Sequence, residues 1–140
     1  MSSNKLFLGI YNVYSSYDGK ISKEELLDSI KDIMIKRIAE AEFLYCEGKI
    51  NESYELLNSI IEDSKKEHNY DALIGSASLL CRVALVLENK DIWKQGVTIL
   101  CDNRGHNPLL CDFMLACVYC SLDYYEFAID FINKKHKIPK

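Results

Sequence analysis

The chain has 140 residues, of which 49% are hydrophobic and 27% charged, with a formal net charge of −4 at pH 7. That length fits one domain able to bury roughly two thirds of the surface exposed by the unfolded chain. The charge lacks the basic excess of a general nucleic-acid binder. No apolar run approaches the ~20 residues that span a bilayer, and the residues after Lys5 lack the shape of a secretory signal. A cytoplasmic protein with no direct nucleic-acid or membrane contact is the expectation.

In chain order, a first helix is expected from about Asn4 to Tyr14, then a polar turn through Asp18 and Gly19. Ser22 followed three residues later by Glu25 is a capping box that opens the next helix. The letters from Tyr14 to Glu25 also resemble the second half of an EF-hand loop. Tyr14 and Ser16, however, stand where oxygen-rich calcium ligands belong, and the turn with its cap explains the same residues. The helix after Ser22 would run through Leu44 for about 25 residues with a break near Asp32, and Gly48 and Lys49 end it. Asn51 is expected to cap a helix carrying Tyr54, Leu57, Ile60 and Ile61, and His68 and Asn69 turn the chain. Asp71 to Glu88 forms the most apolar helix, expected at the centre. Asn89, Lys90 and Asp91 lead into a helix with Trp93, Val97 and Leu100. A loop from Asp102 to Asn107 follows, and Pro108 suits the first turn of the next helix. A second capping box, Asp123 with Glu126, opens a last helix.

Three stretches share one plan in register. They are Ala41, Leu44, Gly48, Ile50, Ser53 and Leu57; Ala84, Leu87, Asp91, Trp93, Gly96 and Leu100; and Ala116, Tyr119, Asp123, Tyr125, Ala128 and Ile132. In each, a small residue sits where one helix crosses the next, a large apolar residue follows one turn on, and the pattern repeats after a polar turn. Helix hairpins of this kind bury their apolar stripes by stacking on each other. The pattern resembles the tetratricopeptide-like superfamily over roughly residues 31 to 135. The fold class expected is all-α, an antiparallel array of TPR-like helix hairpins with about seven helices. It forms one domain over 1–140, with a helix and turn in 1–30 and repeats in 31–140.

A narrower likeness rests on the runs from Ala41 to Lys49, Ser76 to Leu85, Asn107 to Leu109 and Leu115 to Tyr119. These are similar to the helical-repeat segment of LuxR-family transcriptional regulators of the maltose-activator type. The resemblance implies regulation by sensing a ligand or partner, in a segment between an ATP-binding module and a DNA-reading helix-turn-helix. Neither a phosphate-cradling Gly-x-x-x-x-Gly-Lys-Ser/Thr loop nor a recognisable DNA-reading helix occurs in this chain. It therefore reads as a sensor segment or a stand-alone repeat protein, and residues 1–30 are not covered.

By the tetratricopeptide analogy, the first helix of each pair lines a partner-binding groove. Ile38, Glu42, Tyr45 and Cys46 fall there in the first unit, Cys81, Leu85 and Glu88 in the second, and Phe113, Cys117 and Cys120 in the third. Such a surface suits the apolar face of an amphipathic helix. The occupant is a protein or peptide segment, a neighbouring domain of a larger regulator, or the chain's own N-terminal helix. No catalytic residue, metal or cofactor is assigned, so the function expected is a non-enzymatic interaction or ligand-sensing module.

The rival reading takes the Cys117-Val-Tyr-Cys120 pair as a zinc or redox site, but the pair lies inside a continuous helical run. Most of the six cysteines are expected to be packing residues. A self-associating homo-oligomeric module is the third reading. His68, His106 and His136 are far apart in sequence and match no His-Glu-x-x-His spacing. Arg82, alone in an apolar helix, reads as a buried ion-pair partner, an anion site or, as is commoner, a residue that extends its head to water. The basic tail at Lys134–Lys137 and Lys140 reads as a solvated terminus.

Overall fold

The structure, a computed structural model, describes residues 14–120. The expected first helix up to residue 13, the second helix of the third hairpin with its Asp123 cap, and the basic tail lie outside the described residues. The described end of that first helix runs two residues past Tyr14, to Ser16. Six helices are described and no strand among them: α1 Lys23–Asp28, α2 Ile33–Cys46, α3 Ile50–Glu67, α4 Tyr70–Leu87, α5 Lys90–Asp102 and α6 Pro108–Cys120. The fold is all-α.

Most helix starts have a local cause. Ser22 caps α1 by accepting from Glu25 N–H at 3.1 Å. The expected long helix divides at Asp32, whose carboxylate accepts from Met34 and Ile35 N–H and so starts α2. Asn69 and Asn89 cap α4 and α5 in the same way. Asn51 does not cap α3, because the helix begins one residue earlier at Ile50 and Lys49 supplies no side-chain cap.

The stops are uniform in a way the letters hide. Gly48, His68 and Glu88 are all left-handed, with φ of +83°, +56° and +53°, at steps of twenty residues. After each of them the next N–H bonds back five residues: Lys49 to Leu44 O, Asn69 to Ser64 O and Asn89 to Ala84 O. This is the Schellman closure of a helix end. Only the first is a glycine.

Short turns join successive helices, and each packs antiparallel on the next from α2 to α6. The alternate helices α2, α4 and α6 also touch, α2 to α4 and α4 to α6. They form one row, with α3 and α5 packed against it. Of the small residues in the shared plan, Ala41, Ala84, Ala116 and Ser53 are buried. Ser53 Oγ donates to the Ala41 carbonyl at 2.8 Å, tying α3 to α2. At the α4–α5 crossing a Cβ on Gly96 would lie 2.5 Å from Cys81 Sγ and 3.0 Å from Ala77 O, so only glycine fits without a shift.

The helix α4 is central. Its Ile74, Leu80 and Val83 are fully buried in one cluster with Leu57, Leu100 and Leu115 from its neighbours. It is also long and apolar enough to cross a membrane by composition, but 56% of that window is buried inside the array. The character of a core helix accounts for its apolarity. A smaller second core joins Leu26 and Leu27 of α1 to Ala39 and Phe43 of α2. Tyr14 meets Phe43 edge-on there at 5.3 Å. The N-terminal part of the described chain thus covers the Ala39–Phe43 side of α2.

Candidate functional site

The residues expected in the groove lie on α2, α4 and α6, the helices of one row. Ile38 and Tyr45 are half-buried, and the Glu42 side chain is only 13% exposed. All three face α4. The Ile38 Cδ1 methyl lies 3.7 Å from where a Gly75 Cβ would be, an ordinary contact distance that places Ile38 against α4. The Arg82 guanidinium sits 4.7 Å from the centre of the Tyr45 ring and donates to Glu42 Oε1 at 3.5 Å. Arg82 thus pairs with an acid, though not as a buried pair, and extends its head to solvent, for its side chain remains 43% exposed. Stacking on tyrosine fixes a head that would otherwise sample many rotamers. Leu85 is half-buried next to it on α4, and Val86 is exposed. On α6, Phe113 is half-buried and Cys117 exposed, while Glu88 is exposed at the end of α4.

Cys81 is a correction. It is fully buried, with its thiol against the Trp93 carbonyl at 3.8 Å and against Gly96, so it faces α5 and lines no partner surface. Loss of water around it pushes the thiol up to about 12. Burial, helped by the Asp112 carboxylate, likewise pushes Cys111 up to about 11. The expectation that cysteines serve packing holds for these two, whereas Cys46, Cys101 and Cys117 are exposed. Burial and the Glu42 carboxylate raise the Cys46 thiol, so it is less nucleophilic than a free cysteine. The Cys117–Cys120 pair lies on α6, away from its N-terminus. Among the described residues no three His, Cys, Asp or Glu side chains gather where they could hold a metal ion.

A second site went unseen in the sequence. His68, at the left-handed end of α3, and His106, in the α5–α6 loop, converge on Tyr70 at the start of α4. The Tyr70 and His106 rings stack at 3.5 Å and 7°, and the Tyr70 hydroxyl is 3.5 Å from His68 Nδ1. Together with Glu67, Asn69 and Asp71 they line an open depression of ≈ 560 Å³. The loop carrying His106 is firmly held. Asn103 Nδ2 donates to the Ile99 carbonyl at 2.7 Å, and Asn107 Oδ1 caps α6 by accepting from Leu110 N–H. Arg104 forks onto Asp112 through both Nε and Nη2, the latter at 2.8 Å, and the Asp112 side chain is 1% exposed. That hydrogen bond holds the Arg104 guanidinium above its ordinary range. The signal available in sequence was weak, since 38 residues separate the two histidines.

No family model, curated protein or solved structure matches the chain.

Proposed function

We propose that the chain is a non-enzymatic interaction or ligand-sensing module, the helical-repeat part of a bacterial transcriptional regulator, and that an amphipathic helix of a partner or neighbouring domain docks on the α2–α4–α6 row. The observation that carries this reading is the Arg82–Tyr45 stack, a held polar head on the helix that also carries the half-buried Leu85 and the exposed Val86. Apolar side chains beside a held Arg82–Glu42 pair give a docked helix both buried area and a polar register mark. The regulator context rests on the sequence resemblance alone.

Selection from a displayed library of amphipathic helical peptides tests the surface. The expected binders lose affinity about tenfold with Leu85→Lys, as central apolar anchors of interfaces do. Phe113→Ala should weaken them less, and both variants should keep the helical circular dichroism of the parent. Binders indifferent to both substitutions would discard this face. Particles growing with concentration in light scattering, with no peptide captured, would favour self-association, for which Ile33, Ile35 and Leu109 offer exposed apolar surface at 75%, 55% and 70%.

A further inference from the structure

The geometry points to a binding site for a guanidinium cation in the depression between the α3–α4 turn and the α5–α6 loop, independent of the row of helices discussed above. The lining combines two carboxylates, Glu67 and Asp71, with the rings of His68, Tyr70 and His106, the last two stacked so that each offers its outer face and edge. Neither carboxylate has an ion-pair partner among the described residues. The contact to Asp71 is a neutral one, from Asn107 Nδ2 at 3.5 Å. Lys65 and Lys66 of the same turn are exposed and do not line the depression. With Asp71 in the first turn of α4, the positive end of that helix is already opposed, and an anionic ligand would meet two like charges. A planar cation meets the opposite. Guanidinium stacks on aromatic faces and forks its N–H donors onto carboxylates.

The site is also built in advance of any ligand. His106 belongs to a loop fixed at both ends by the Asn103 and Asn107 bonds and by the pairing of Arg104 with the buried Asp112 carboxylate. Removing a carboxylate from water costs about as much as such a pair returns, so the pair is weakly justified by stability. What it secures is the placement of the loop, and with it the flat Tyr70–His106 stack. The asparagine at 107 then links this loop to Asp71 across the depression.

The test is a titration of the full chain with ethylguanidinium chloride, following the ring resonances of His68, Tyr70 and His106 by NMR. Saturable shifts are expected, with none from the neutral isostere ethylurea. The double variant Glu67→Gln, Asp71→Asn should bind about fivefold more weakly, the scale of exposed charge pairs. Should that variant lose its fold, His106→Ala, an exposed loop change, serves instead and should weaken binding through the lost stack. An acetylated arginine tripeptide distinguishes the sources. Equal affinity for both ligands identifies a free small molecule as sufficient, whereas clearly tighter tripeptide binding identifies the arginine of a protein partner. Equal shifts with ethylurea, an absence of saturation, or unchanged affinity in the folded variant would overturn the assignment.

Discussion

Cys81 and Gly96 meet at the α4–α5 crossing, and a consequence of that contact is measurable in alkali. Folded, the Cys81 thiol titrates at about 12 against an ordinary 9.0, because burial disfavours the thiolate. Below pH 9 both folded and unfolded chains hold the proton, and the group leaves stability unchanged. Between pH 9 and 12 the unfolded chain releases it while the folded chain keeps it. Stability therefore falls with rising pH, at about 1 kcal/mol per unit for a full shift. Urea melts of the parent and of Cys81→Ala at pH 8 and pH 10.5 isolate this group from the lysines and tyrosines that titrate nearby. The parent should lose about 1–2 kcal/mol more than the variant over that interval. An equal loss in both would mean that the thiol meets water in the folded chain. The same burial explains why a residue expected on a partner surface is not there. The repeat spacing places Cys81 one turn before Ala84, and no letter in the sequence says that Gly96 opens a niche for sulfur on the other side.

At the level of elements, three helices end at left-handed residues twenty apart, yet two of those residues carry a Cβ. A side chain in that conformation costs about 1–2 kcal/mol relative to the right-handed form, and glycine avoids the clash. Glu88→Gly is expected to raise stability by about 1 kcal/mol, read as a higher midpoint in chemical denaturation, since Glu88 is exposed and makes no side-chain hydrogen bond in the described structure. A lower midpoint would mean that the carboxylate contributes more than the backbone strain removes. His68 occupies the equivalent position but presents its ring to Tyr70, so glycine there would exchange a candidate site for stability. These ends show which parts of the fold could be read from letters. The cap at Ser22 and the break at Asp32 follow from side-chain chemistry within three residues, which is visible in a sequence. Asn69 and Asn89 read there only as turn residues, and the cap expected at Asn51 does not form. The alanines of the repeat were legible because close helix crossings need small residues. The His68–Tyr70–His106 cluster was not, because it depends on two turns at the same end of the array coming together through the packing of α4, α5 and α6.

For the molecule as a whole, the arrangement of cores determines how a local defect spreads. The central helix α4 touches α2, α3, α5 and α6, so its apolar contacts hold every larger element in one cluster. Leu80 is fully buried in it. Leu80→Ala should cost about 2–5 kcal/mol, the range for buried leucine truncation, and should lower amide protection in all four neighbouring helices together. The α1 helix is tied in differently. Its Leu26 and Leu27 reach only the small core with Ala39 and Phe43, supplemented by the Lys23–Glu47 pair at 3.3 Å, which is partly exposed and contributes little. Leu27→Ala should therefore strip protection from α1 and the outer side of α2 while leaving α4 to α6 protected. Hydrogen exchange on both variants separates a global from a local opening. If Leu27→Ala lowered protection in α5 and α6 as much as in α1, the two cores would act as one, and the N-terminal turn would be an integral part of the array. If its effect stays local, the row α2–α4–α6 is a scaffold that keeps both candidate sites rigid even when α1 opens.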